Sequence, residues 1–117
     1  MKKVYICSPL KSFTARRTEQ NKHRALLYCR FAYEQGCNPF APHTIYTQFL
    51  DESKPKERAN GMRMGQEWMW AMQEMWVFGE TISEGMKEEI DLAKFLGIKI
   101  RYFDSDMDEV DERGKYI

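Results

Sequence analysis

Apolar and polar positions alternate along this chain between two regimes. Short, continuous apolar runs are separated by longer stretches in which apolar residues recur every three or four positions. Val4-Tyr5-Ile6-Cys7 is the first such run, and it ends at Ser8-Pro9, where proline stops a central strand. Met75-Trp76-Val77-Phe78 is another, and Ile98–Phe103, after the third helix, reads as the last strand. Asn38-Pro39-Phe40-Ala41-Pro42 is a weaker strand framed by prolines. Between the runs lie three helical patterns. Thr14 to Gln35 carries Ala25, Tyr28, Cys29 and Ala32 at helical steps, widened by Leu27 and Phe31, with Gly36 as the stop. Lys56 to Glu74 places Met62, Gly65, Met69 and Met72 on one face and Met64, Trp68, Ala71 and Met75 on its neighbour. A helix apolar over so much of its circumference is expected to be buried on more than one side, with a partner subunit on the surplus face. Glu84 to Leu96 is the third helix, with Ser83 as its N-cap and Gly97 as its end. His43 to Leu50 is ambiguous between loop and helical turn.

This alternation predicts an α/β fold. It is a three-layer sandwich around a four-stranded parallel sheet of order 2-1-3-4, with right-handed crossovers. The 117 residues make one domain, residues 1–103, followed by an acidic tail, residues 104–117, expected to be mobile and outside the core.

Composition narrows the function classes. A formal net charge of zero argues against generic nucleic-acid binding. No apolar run approaches the ~20 residues of a membrane helix, so no membrane partner is expected. Three cysteines, Cys7, Cys29 and Cys37, fit free thiols in a reducing cytoplasm. His23, Cys29, Cys37 and His43 match no standard zinc spacing, and the run Asp104, Asp106, Asp108 lacks the glycine and final glutamate of a calcium loop. No metal or cofactor is expected. The N-terminal third is basic, and part of it is expected to face an anionic ligand.

Candidate chemistry collects at the carboxyl ends of the strands, where open α/β sheets bind ligands. Ser8-Pro9-Leu10-Lys11 closes the first strand and offers backbone amides, a hydroxyl and a point charge for phosphate. Ser83, Gly85, Met86 and Glu89 open the third helix, whose first-turn amides can hold an anion beside a carboxylate. Glu88 and Glu89 point about 100° apart, so only one of them faces the crevice. His43 follows the second strand on the same edge. That pairing of carboxylate and anion cradle suggests chemistry on a sugar phosphate or nucleotide.

Five segments together resemble the nucleoside 2-deoxyribosyltransferase-like family, in particular its small, uncharacterised phage and bacterial subgroup. They are Val4–Leu10, Tyr28-Cys29-Arg30-Phe31-Ala32, Ala41-Pro42-His43, Trp76-Val77-Phe78-Gly79 and Ser83–Ala93, and the resemblance spans about residues 3–103. It implies a flavodoxin-like, Rossmann-like α/β fold, a nucleoside or nucleotide as the small-molecule partner and a glutamate nucleophile that attacks the anomeric carbon. Glu89, followed by Ile90 and, four positions on, by Ala93, matches the family register. Ser8 to Lys11, with Ser83 and Gly85, fall where relatives hold the sugar or its 5′-phosphate, and Gly85-Met86 matches the family's glycine-methionine step on the substrate side, at a longer spacing to the glutamate than in the transferases. Two positions depart from the family. Lys11 stands where arginine is common, and Gln73 where relatives carry an aspartate near the departing base. The leading expectation is an N-glycosidic-bond enzyme, a deoxyribosyltransferase or hydrolase. The alternatives are a non-catalytic nucleotide-binding or sensing module, motivated by Gln73, and a homo-oligomeric interaction protein with a vestigial pocket. A homodimer or higher homo-oligomer is compatible with all three.

Overall fold

The computed structural model of the protein describes residues 1–117. Five strands and three α-helices alternate along it: β1 (Lys2–Cys7), α1 (Ala15–Glu34), β2 (Cys37–Phe40), α2 (Pro55–Glu67), β3 (Glu74–Phe78), α3 (Glu84–Phe95), β4 (Lys99–Phe103) and β5 (Glu109–Val110). The sheet order is β2-β1-β3-β4-β5. The first four strands run parallel, in the expected order, and β5 is antiparallel to β4. The sheet is therefore mixed and five-stranded, not four-stranded and fully parallel.

The two-residue periodicity of the strands sorts their side chains between two cores. Val4 and Ile6 of β1, with Trp76 and Phe78 of β3, pack beneath α1 against Tyr28 and Ala32. Tyr28 stacks on Phe78 with ring centroids 4.2 Å apart. Tyr5 and Cys7, with Met75 and Val77, point to the opposite face, where Met86, Ile90 and Ala93 of α3 cover them. This one-residue alternation decides the site: Tyr5 and Cys7 are delivered beneath α3, and their neighbours are not.

Two segments depart from the sequence expectation. The second helix ends at Glu67, continues as a 3-10 turn through Trp68–Ala71, and gives way to β3 at Glu74. Sheet hydrogen bonding takes over early: the Gln73 amide donates to the Lys3 carbonyl at 2.9 Å. The same helix is not buried on several sides. Its fully buried positions are Gly61 and Gly65, where the backbone itself approaches neighbours, and a Cβ on Gly65 would lie 3.1 Å from Pro42 and 3.2 Å from the Tyr5 hydroxyl. Trp68 and Trp70 are exposed. The acidic tail folds back rather than trailing away. Asp104 accepts from the amides of Asp106 and Asp108, the reversal this creates starts β5, and Val110 is buried. No helix is long and apolar enough to cross a membrane.

Candidate functional site at the carboxyl edge of the sheet

A cavity of about 640 Å³, counting its open mouth, lies at the carboxyl end of β1 between the loop after β2, α2 and the first turns of α3. Ser8, Leu10 and Lys11 enter it from the turn after β1, His43 from the 3-10 turn after β2, and Ser83, Gly85, Met86 and Glu89 from α3. Two expected residues are elsewhere. Pro9 turns to the other side of the β1–β3 junction, against Gly79, whose φ of +107° lets the chain leave β3 sharply there. Gln73 lies at the amino end of β3, the opposite edge of the sheet, and its side-chain carbonyl accepts from the Lys3 amide at 2.9 Å. A residue just before a parallel strand cannot reach a crevice beyond that strand's carboxyl end. Neighbouring Glu74 is held at that same far edge by Lys2 at 2.7 Å and the Trp76 indole at 2.9 Å. Burial opposes its ionisation, but these two donors and the Lys2 charge bring the carboxyl below its ordinary value.

Glu89 is 8% exposed. The Tyr5 hydroxyl donates to its Oε2, and the Cys7 thiol lies 3.7 Å from its Oε1. Burial pushes the carboxyl up to about 7, while the Tyr5 and Cys7 hydrogen bonds pull it down and the charge of Glu88 adds to the rise. Burial and the adjacent carboxylate raise the Tyr5 phenol and the Cys7 thiol well above their ordinary values, so both stay protonated donors. The carboxylate is thus gripped from below by two strand residues, with its plane set relative to the cavity.

The anion-binding features gather around it. The Ser83 hydroxyl accepts from the Met86 amide at 3.2 Å, which leaves the Glu84 and Gly85 amides at the positive end of α3 without helical partners. The Ser8 hydroxyl is buried and has no hydrogen-bond partner. A buried, unpartnered hydroxyl on a cavity wall is what a ligand oxygen would satisfy. Lys11 and Arg58 face the same cavity, and neither is tied up in an ion pair. His43 Nε2 sits 2.9 Å from the Ser8 carbonyl, which can only accept, so the ring proton is on Nε2. Burial lowers this imidazole to about 4, assisted by Arg58 and opposed by the Ser8 bond. Its Nδ1 is therefore an acceptor at neutral pH.

Sequence reasoning missed several lining residues. Tyr5 was absorbed into an apolar run, although a hydroxyl on a buried strand needs a partner. Tyr46 and Glu52 come from the segment between β2 and α2, where no periodicity marked a wall, and Arg58 and Met62 come from α2, whose pattern was read as core rather than as a cavity wall.

A family model described as "Domain of unknown function (DUF7768)" matches residues 2–103. The chain is similar in structure to a 2-deoxyribosyltransferase from the psychrotolerant bacterium Bacillus psychrosaccharolyticus. The TM-score is 0.61 at 17% identity, and the match covers 87% of this chain and 72% of that one. At that identity the likeness is one of fold. No curated protein matches.

Proposed function

This chain belongs to the DUF7768 family, and we propose from the site that it cleaves the N-glycosidic bond of a nucleoside 5′-monophosphate or similar nucleotide. The observation that carries the reading is Glu89: a buried carboxylate, oriented by Tyr5 and Cys7, on the wall of a cavity that also holds an unpaired anion cradle. Glu89 is the nucleophile. Its carboxylate attacks the anomeric carbon, the base departs, and the glycosyl-enzyme is resolved by water or a second base. The fold likeness to a deoxyribosyltransferase supports the same direction.

The roles of the other residues follow from their chemistry. Lys11 and Arg58, the Ser8 hydroxyl and the α3 amides beside Ser83 and Gly85 hold the 5′-phosphate and sugar. Leu10 and Met86 supply apolar walls, and Tyr46 and Met62 offer flat or soft surfaces to a base. Neutral His43 accepts a hydrogen bond from a sugar hydroxyl through Nδ1.

Free base released from a panel of nucleosides and their 5′-monophosphates, followed by chromatography, tests the reading. Monophosphates are expected to be cleaved and the matching nucleosides to be poor substrates. Arg58→Ala is expected to raise KM for the monophosphate about 10- to 100-fold, the worth of one charged hydrogen bond, with little change for the nucleoside. An equal effect on both would remove Arg58 from the phosphate, and no release by the unsubstituted protein would remove the reading.

A further inference from the structure

Cleaving an N-glycosidic bond requires a proton for the leaving base as well as a nucleophile. Gln73, which stands where the family resemblance expects an acid, lies at the wrong edge of the sheet and is an amide. His43 has no proton on the nitrogen left free by Ser8, and the Tyr5 hydroxyl is committed to Glu89. Two carboxylates line the cavity, Glu89 and Glu52.

We propose that Glu52, on the loop leading into α2, is the general acid that protonates the departing base. This rests on the N-glycosidase reading above and adds a residue to it. Glu52 has the properties that role needs. It lines the same cavity as Glu89 and comes from a different segment, the loop before α2 rather than α3. Two carboxyl groups lining one cavity, one as nucleophile and one as acid, are the set by which retaining enzymes open glycosidic bonds. No hydrogen bond holds the Glu52 carboxyl; partial burial raises it first, while Lys22 of α1, Arg58 of α2 and Lys11 of the β1 turn lower it and neighbouring Asp51 raises it. Lys11 and Arg58 are also the cations assigned to the substrate phosphate. A bound phosphate cancels the charges that keep Glu52 ionised, so substrate binding itself favours the protonated acid.

The step balances. A Glu89 oxygen forms the bond to the anomeric carbon as the carbon–nitrogen bond breaks. The electron pair of that bond stays on the base nitrogen, which takes the proton of the Glu52 carboxyl. Water then attacks the anomeric carbon, gives its proton to the Glu52 carboxylate, and Glu89 leaves as a carboxylate. One nucleotide and one water become a sugar phosphate and a free base.

The test compares two leaving groups on the unsubstituted protein, Glu52→Gln and Glu89→Gln. One substrate is the best natural nucleotide. The other is the p-nitrophenyl glycoside of the same sugar 5-phosphate, whose phenolate departs without a proton. Glu52→Gln is expected to lower kcat/KM on the nucleotide by about 10²- to 10⁴-fold and to leave kcat/KM for release of the nitrophenol, which reports only the first step, within a few-fold. It should also lose the alkaline limb of the kcat/KM profile. Glu89→Gln should lose both substrates. Thermal unfolding of Glu52→Gln, whose residue sits on a surface loop, is expected to match the parent. Equal loss on both substrates would make Glu52 a binding residue, and an unchanged nucleotide rate would make it a bystander; either overturns the proposal while the N-glycosidase reading stands. Absence of cleavage of both substrates by the unsubstituted protein overturns the two together.

Discussion

Glu89→Gln is expected to abolish base release, lowering kcat by about 10³-fold or more, with nucleotide binding weakened only a few-fold. Glutamine keeps the volume and an acceptor for the Tyr5 hydroxyl, but it cannot form the ester that carries the sugar. The phosphate cradle of Lys11, Arg58 and the α3 amides is untouched, so calorimetric binding should persist. In the unsubstituted protein kcat/KM should rise with pH as the carboxyl, held near 7 by burial, ionises in the free enzyme. Retained turnover in Glu89→Gln would remove the nucleophile from this account.

The same substitution has a second large consequence, on stability. The Glu89 carboxyl is raised to about 7 in the fold, from an ordinary value near 4.5. Below pH 4.5 the group is protonated whether the chain is folded or not, and its full contribution to stability is present. As the pH rises towards and through 7 the unfolded chain releases the proton first, and that contribution is lost. The loss amounts to about 3 kcal/mol by pH 8. Glu89→Gln carries no such penalty. Relative to the parent, it is expected to gain stability between pH 5 and pH 8, on the order of 10 °C in Tm for a domain of this size. Parallel pH profiles for the two proteins would mean that the carboxylate is solvated, and the burial argument would fail.

The fold was legible because β1 over its last four residues and β3 throughout are buried on both faces and so read as continuous runs rich in apolar residues. β4, exposed at Lys99 and half-buried through Tyr102, was legible from its place after the helix stop at Gly97, and Ser83 marked the start of α3. What stayed hidden depended on contacts distant in sequence or on short segments. β5 has two residues, and Val110 is one apolar position inside an acidic run. The turn-forming role of Asp104 was the available signal. The second helix was misread because two tryptophans and several methionines mimic a core pattern, whereas its close packing is done by Gly61 and Gly65.

The site divided along similar lines. Glu89 and the Ser8–Lys11 turn were legible because a strand, a turn and a helix start place residues at the carboxyl edge by local geometry alone. Gln73 was placed by the family resemblance against its own position, since a residue just before β3 sits at the amino end of that strand, away from the crevice. Tyr5 was recoverable in principle: alternation along β1 puts it on the same face as Cys7, and a phenol there requires an acceptor. Glu52 was not, because the path of the chain between β2 and α2 has no periodic signature, and neither was Arg58, a charged position of α2 with nothing in the sequence to say which way its helix face turns.

The most direct test of Glu89 as nucleophile is to trap the covalent intermediate. A 2-deoxy-2-fluoro nucleotide slows both the formation and the breakdown of a glycosyl-enzyme, because fluorine disfavours the positive charge at the anomeric carbon. After incubation and proteolysis, mass spectrometry should find one added fluorosugar phosphate on the peptide containing Glu89, with the ester at that side chain. An adduct on a different residue, or turnover of the analogue with Glu89 never modified, would contradict the account.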